Sequence, residues 1–342
     1  MRSAVLQEGG RFAVTEIPTP EPTGNQVLIR VSHCGICGSD LHALRAGSLT
    51  VGAILGHEIA GVVEALGPKV RGLEVGDRIT TLSAVPCDQC DRCEAGEFRS
   101  CRAGWQVYGY GSVPGGYAEF VLSHSSIVEH APDGLSDVAA ALNEPAMVGL
   151  HAVRISRLRP GDMAVVIGAG PIGLLVLQAA NIAGARAVCV VEPSAGRRAM
   201  ATELGATHVF EPGSPGIAAF LRDNTDAGPE VVFECAGARG TLQQAAELVR
   251  PGGQVILAGV NAESDEISPL TLCAKECEIR ASLGGMDIFR HTLDLIASGR
   301  LRTEPMVTRI ISLDEVDAVM QELGTAGCDD VKVLVAPGRR AQ

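Results

Sequence analysis

Met163-Ala164-Val165-Val166-Ile167-Gly168-Ala169-Gly170-Pro171-Ile172-Gly173 is the stretch on which the fold turns. Its five leading apolar residues read as a strand covered on both faces, its glycines as a tight turn, and the apolar residues beyond Gly173 as a helix. A second apolar run, 187–191, ends at Glu192, nineteen residues past Gly173. Strand, glycine turn, helix, second strand and acid in that order form a dinucleotide-binding fingerprint. The glycines allow close backbone approach, the helix N-terminus attracts a pyrophosphate, and the acid accepts from ribose hydroxyls. Gly168, Gly170, Pro171, Ile172, Gly173 and Glu192 are therefore the cofactor-binding residues expected, with Arg197 close behind. Glu192 favours NAD over NADP, because a carboxylate repels a phosphate on the ribose 2′ oxygen. Arg197 and Arg198 pull the other way if they meet that phosphate, and have no bearing if they are solvated helix-surface charges.

Downstream, apolar segments at 207–210, 230–233, 254–258 and 278–283 complete six parallel strands with helices between them, a doubly wound α/β sheet. Upstream of residue 146 the pattern differs. Gln26-Val27-Leu28-Ile29-Arg30-Val31, 59–66 and 115–121 are short β-rich runs bounded by Gly and Pro, which suggests an antiparallel, barrel-like domain. A chain of 342 residues is too long for one core, and two domains are expected.

Two metal motifs lie in the β-rich part. Cys87-x-x-Cys90-x-x-Cys93-x₇-Cys101 gathers four thiols in one short lobe, the tetrahedral set that a closed structural zinc prefers. The second runs through Cys37-Gly38-Ser39-Asp40-Leu41-His42 to Gly56-His57-Glu58. Cys37 and His57 suit a borderline-soft ion with an open position, Asp40 can orient a ligating imidazole, and Ser39 and His42 can pass a proton. Trp105, Tyr108 and Tyr110 either pack the lobe or, for Trp105, wall a substrate pocket.

Composition bounds the function. A net charge of −12 leaves no basic footprint for nucleic acid, and 46% hydrophobic with 20% charged residues describes an ordinary globular chain. The uncharged run 163–185 is broken by Gly168, Gly170 and Pro171 and carries Gln178 and Asn181, so it is not a membrane span. No export signal is read at the N-terminus. Eleven cysteines, an odd number, point to reduced thiols, metal and a cytoplasmic address. Cys34, Cys189, Cys235, Cys273, Cys277 and Cys328, outside both motifs, are expected to be small buried hydrophobes. The polar C-terminus is expected to be loose.

These motifs, in this order and over nearly the whole chain, resemble the medium-chain zinc-dependent alcohol and polyol dehydrogenases. The resemblance implies a GroES-like catalytic domain from residues 1–145 and 287–342, a Rossmann domain at 146–286, and reaction in the cleft between them. It implies two Zn²⁺ per subunit, one on Cys87, Cys90, Cys93 and Cys101 and one on Cys37 and His57. The third ligand of the latter is Glu58 or Glu144. Where the branch acting on simple alcohols has a thiolate, Glu144 supplies a carboxylate, as in the sorbitol, threonine and butanediol branches. The implied reaction is oxidation of a secondary alcohol (polyol, diol or amino-alcohol) to a ketone with NAD⁺, the proton leaving by Ser39, the nicotinamide ribose and His42. Two other readings stay open: a primary-alcohol dehydrogenase or aldehyde reductase, and a non-catalytic structural protein that keeps zinc and nucleotide. A homodimer or homotetramer is implied as well.

Overall fold

The computed structural model of the chain describes residues 1–260, 264–323, 325 and 328–340, and the statements below concern these. The chain forms two compact units, Met1–Glu144 with Val307–Gln342, and Pro145–Met306.

The first unit opens with a hairpin, β1 (Arg2–Leu6) and β2 (Phe12–Glu16). β3 (Gln26–Gly35) follows and leads into α1 (Gly38–Arg45). β4 (Glu58–Leu66), β5 (Arg78–Thr81), β6 (Ala84–Val85), α2 (Asp91–Glu94), β7 (Gln106–Val107), β8 (Phe120–His124), β9 (Val128–His130) and α3 (Asp137–Ala141) complete this stretch. β3 pairs antiparallel with both β4 and β8, β4 with β5, and β5 with β9, the Greek-key-like pairing of a GroES-like β domain. The short ladder β6–β7 closes the base of the cysteine lobe. One expected strand is displaced: of 115–121 only Phe120 and Val121 belong to a continuous strand, with Ala118 making an isolated bridge to Ser3. The N–H groups of Gly115, Gly116 and Tyr117 donate instead to the carbonyls of Ile54, Gly56 and Leu55, because glycines without a Cβ can lie against that backbone.

The second unit begins in α4 (Asn143–Arg154), with Pro145, and alternates strand and helix. Its elements are β10 (Met163–Ile167), α5 (Pro171–Ile182), β11 (Ala187–Val191), α6 (Ala195–Glu203), β12 (His208–Phe210), α7 (Pro215–Asn224), β13 (Val231–Glu234), α8 (Thr241–Leu248), β14 (Gln254–Leu257), α9 (Pro269–Lys275), β15 (Glu278–Ala281) and α10 (Phe289–Ala297). The six strands are parallel in the order β12-β11-β10-β13-β14-β15, the doubly wound arrangement, with β10 central. Each residue of β10 is buried, so continuous hydrophobicity rather than alternation marks it. Met163, Val165 and Ile167 pack with Cys189, Val191, Val232 and Val255 on one face, each full burial contributing about 1.5–3 kcal/mol.

The expected end of this unit at 286 is too early. α10 buries Phe289, Leu293 and Ile296, and the Gln178 amide on α5 both accepts from Arg302 N (2.8 Å) and donates to Arg302 O (3.1 Å), so the unit runs to Met306. The chain then returns to the first sheet through β16 (Val307–Ile311), α11 (Val316–Glu322) and β17 (Lys332–Val335). β17 runs antiparallel to β3, with Leu334 opposite Gly35, and Ile36 N–H donates to Val333 O. Of the cysteines outside the motifs, Cys34 and Cys189 are buried, whereas Cys273 lies exposed on α9, contrary to expectation. No helix among the described residues is long and apolar enough to cross a membrane. The expected looseness of the polar chain end concerns, at 341–342, positions outside the described residues.

Candidate active site

α1 starts on the residue that carries the metal motif. Cys37 is extended (φ −99°, ψ 151°) and caps the helix, and its N–H donates to Asp40 Oδ2 at 3.2 Å. Asp40 is fully buried, and tyrosines from one later stretch close on it. Tyr117 donates to Oδ2 at 2.8 Å and Tyr110 to Oδ1 at 3.3 Å. His57 Nδ1 lies 3.5 Å from Oδ1, which makes Asp40 its ionic neighbour rather than a hydrogen-bond partner. Burial alone would raise the Asp40 carboxyl, but His57, Tyr117 and the Cys37 N–H outweigh it and hold it below the usual range. Burial likewise opposes charge on His57, and Asp40 with Cys37 overcomes it, pushing the imidazole well above the ordinary histidine range.

A cation is what these surroundings favour. Cys37, His57 and Glu58 bring one ligand atom each to within 4.8 Å of one another, and a divalent ion would take the place of the imidazole proton. The donor set of thiolate, imidazole and carboxylate therefore fits zinc. Glu58 opens β4 and is fully buried; a Cβ on Gly35, its partner across β3–β4, would overlap the carboxylate. Both its oxygens accept from Lys332 Nζ, at 2.7 and 2.8 Å, and the same ammonium donates to Ile36 O at 2.9 Å. Lys332 is only 1% exposed; burial opposes its charge, yet the Glu58 carboxylate outweighs this and raises the lysine above its usual range.

Glu144, in the first turn of α4, stands apart from that three-residue set, and its Oε1 accepts from Ser83 at 2.6 Å. Burial raises the Glu58 carboxyl, and the nearby charge of Glu144 adds to this. Ser39 and His42 lie one turn apart on α1, with His42 half-buried. Sequence reasoning missed Lys332 and Ser83, and placed Tyr110 with the lobe. The lysine left a signal, a single charge inside the apolar run Val331-Lys332-Val333-Leu334-Val335.

Cys87, Cys90, Cys93 and Cys101 converge within the same 4.8 Å limit, around α2. Backbone N–H groups of Arg102 and Cys93 bring the Cys90 thiol down to about 6, while burial drives Cys93 up to about 12. Four thiols so close cannot all ionise without a cation, which fits a closed structural zinc. Trp105 lies on the outside of this lobe, 47% exposed, under the Arg99 guanidinium at 5.8 Å. Tyr108 is wholly buried, and its N–H donates to Ser83 O.

In the second unit the glycine turn has the shape a dinucleotide needs. Gly168 takes φ +95°, and a Cβ on Gly173 would overlap Gly168 O, so turn and helix close on each other. Gly170 caps α5 with open space beside it, and Pro171 is at the first helical position. Ile172 is half-buried behind it. Glu192 is 4% exposed and is held by Ala169 N–H (2.7 Å) and Ser194 N–H (2.9 Å), which leaves lone pairs for ribose hydroxyls. Arg197, in the first turn of α6, donates its N–H to Ser194 Oγ, and the Arg198 guanidinium donates to the carbonyls of Glu192 and Pro193.

Comparison with known proteins bears on this geometry. Residues 171–298 match the zinc-binding dehydrogenase family and residues 23–133 the alcohol dehydrogenase GroES-like domain. Sorbitol dehydrogenase of Bacillus subtilis (strain 168) is 31% identical, the match covering 99% of this chain and 98% of that one. (R,R)-butanediol dehydrogenase of the same organism is 32% identical over 98% and 100%. A protein of Sinorhizobium meliloti 1021, solved bound to NADP, superposes with a TM-score of 0.89 at 34% identity, over 98% of this chain and 99% of that one.

Proposed function

The chain belongs to the zinc-dependent medium-chain alcohol and polyol dehydrogenases, oxidoreductases of CH–OH donors, and on that premise we propose that it oxidises a secondary alcohol bearing a second polar group, a polyol, diol or amino-alcohol, to the ketone with NAD⁺. The observation that carries this reading is the donor set of Cys37, His57 and Glu58, with Glu144 a carboxylate where a simple-alcohol site would carry a further thiolate. A zinc ion on Cys37, His57 and Glu58 would supply Lewis acidity that lowers the pKa of an alcohol hydroxyl in the open position. Glu58 is the preferred third ligand, since Glu144 is directed to Ser83.

Bound NAD⁺ would supply the hydride acceptor for the carbinol hydrogen, and Ser39 and His42 would take up the hydroxyl proton and pass it toward solvent. Asp40 stands beside the His57 imidazole, and Lys332 balances Glu58. NAD is preferred because the buried Glu192 carboxylate opposes a 2′-phosphate, and Arg198 is engaged on backbone carbonyls. The reading also includes a second, structural zinc on the lobe, a cytoplasmic setting suited to eleven free thiols, and a homodimer or homotetramer, which sedimentation tests.

One panel tests the function: purified protein with NAD⁺ or NADP⁺ and a set of vicinal diols, polyols and ethanol, followed by reduced-nicotinamide absorbance. A vicinal diol is expected to exceed ethanol, and NAD⁺ to exceed NADP⁺, in kcat/KM. Turnover of ethanol with inert diols overturns the substrate class, and parity of the two cofactors overturns the role given to Glu192.

A further inference from the structure

Glu234 ends β13 with a carboxylate that the chemistry above does not use, although the residue is only 1% exposed. Its backbone is locked between two neighbouring strands. Glu234 stands opposite Ile167 of β10, Cys235 N–H donates to Ile167 O at 2.9 Å, and Glu234 O accepts from Ala258 N–H and Gly259 N–H, both at 2.8 Å. The side chain turns back over the loop that follows. Oε1 accepts from Ala236 N–H and Gly237 N–H, each at 2.9 Å, and the one hydroxyl proton of Thr241, at the start of α8, is shared between Oε1 (2.9 Å) and Ala238 O (2.6 Å). Gly237 takes φ +58°, and a Cβ on Gly259 would overlap both Gly237 N and Glu234 Oε2, so the ends of β13 and β14 close around this one carboxylate. The loop is pressed in turn on the dinucleotide turn: a Cβ on Gly168 would lie 2.9 Å from Ala236 Cα and N.

β11 and β13 flank β10 on opposite sides, and in a doubly wound sheet the ligand lies across the carboxyl ends of the strands with its pyrophosphate at the glycine turn. Glu192, just past β11, marks the adenosine side, so the loop after β13 belongs to the other half of the dinucleotide. We propose that Glu234 is a positioning residue of the cofactor site, holding loop 235–240, and Ala236 against Gly168, in the shape that receives the nicotinamide half. The inference rests on the cofactor proposed above. The two buried acids differ in how they are used. Glu192 gives each oxygen to one N–H and keeps lone pairs for a ligand, whereas Glu234 gives a single oxygen to two N–H groups and a shared hydroxyl. The first arrangement suits binding and the second suits holding a loop.

The test is calorimetric titration of NAD⁺ and of AMP into the zinc-loaded full chain and three variants. Glu234→Ala removes the acceptor and is expected to raise the Kd of NAD⁺ about tenfold, the factor that follows if the loop keeps its binding shape about a tenth of the time. AMP, which needs only the Glu192 side, is expected to bind as it does to the wild type, and its binding also shows that the variant is folded. Glu234→Gln keeps an accepting oxygen in the place of Oε1 and is expected to bring NAD⁺ back to within about threefold of the wild type. Thr241→Val takes away one donor and is expected to weaken NAD⁺ about threefold, again with AMP unchanged. Unchanged NAD⁺ affinity in Glu234→Ala overturns the proposal, and so does an equal loss for NAD⁺ and AMP, which marks a merely structural role. Should Glu234→Ala not fold, Thr241→Val is read by the same two outcomes. Glu234→Gln as weak as Glu234→Ala overturns the holding role of the Oε1 bonds. Wild-type protein that binds no nicotinamide dinucleotide takes down the proposed function and this inference together, whereas wild-type binding of NAD⁺ with any of the overturning outcomes takes down this inference alone.

Discussion

The two candidate metal sites of the first unit are built on different principles. The lobe takes all four thiols from residues 87–101, around one short helix, and its backbone N–H groups supply much of the electrostatics. The Cys37 centre takes a cap residue of α1, the start of β4, a lysine from β17 and two tyrosines from the stretch before β8. A closed site needs only tetrahedral reach, which local spacing provides. A reactive site needs an open position, and the remaining coordination must then be kept rigid by partners that the local chain lacks. Remote support is thus what sets the proposed reactive site apart from the lobe.

The largest expected effect separates the centres by function. Cys37→Ala should remove the catalytic zinc and cut turnover at least about a thousandfold, the several kcal/mol that a Lewis acid contributes. NAD should still bind the second unit, which titration calorimetry on the variant would show. Retention of zinc and turnover together would place the reactive centre elsewhere, with Cys34 the next residue to test.

A smaller effect tests the idea of remote support. Lys332→Met leaves the buried Glu58 carboxylate without its counter-charge, and breaking such a pair costs about 3–5 kcal/mol. The first unit should unfold at markedly lower urea, and adding Glu58→Gln should recover much of the loss, because the stranded charge is then gone. A wild-type midpoint for Lys332→Met would mean that the C-terminal strand is not a support of this centre.

The smallest effect on chemistry is expected at the lobe. Cys87→Ser should release the structural zinc and lower the unfolding temperature, while molecules that stay folded turn over near the wild-type rate. Equal losses in turnover and in folded fraction are compatible with this; a collapse of turnover in protein that remains folded would erase the distinction between the centres.

Much of this molecule is determined within short windows of sequence. The apolar run of β10, the glycines after it and Glu192 nineteen residues beyond them prescribe a dinucleotide-binding βαβ unit, because strand, turn and helix each answer to neighbours a few residues away. The spacing of Cys87, Cys90, Cys93 and Cys101 likewise prescribes its metal. Only the tertiary structure decided that residues 287–306 stay with the second unit, that Glu144 turns to Ser83, that Tyr110 serves Asp40 rather than the lobe, and that Lys332 neutralises Glu58. Each of these joins side chains far apart in the chain, Lys332 and Glu58 by 274 positions. Periodicity and spacing report what lies along one element. The partner of a buried charge is set by which strand comes to lie beside it, and that is a property of the assembled sheet.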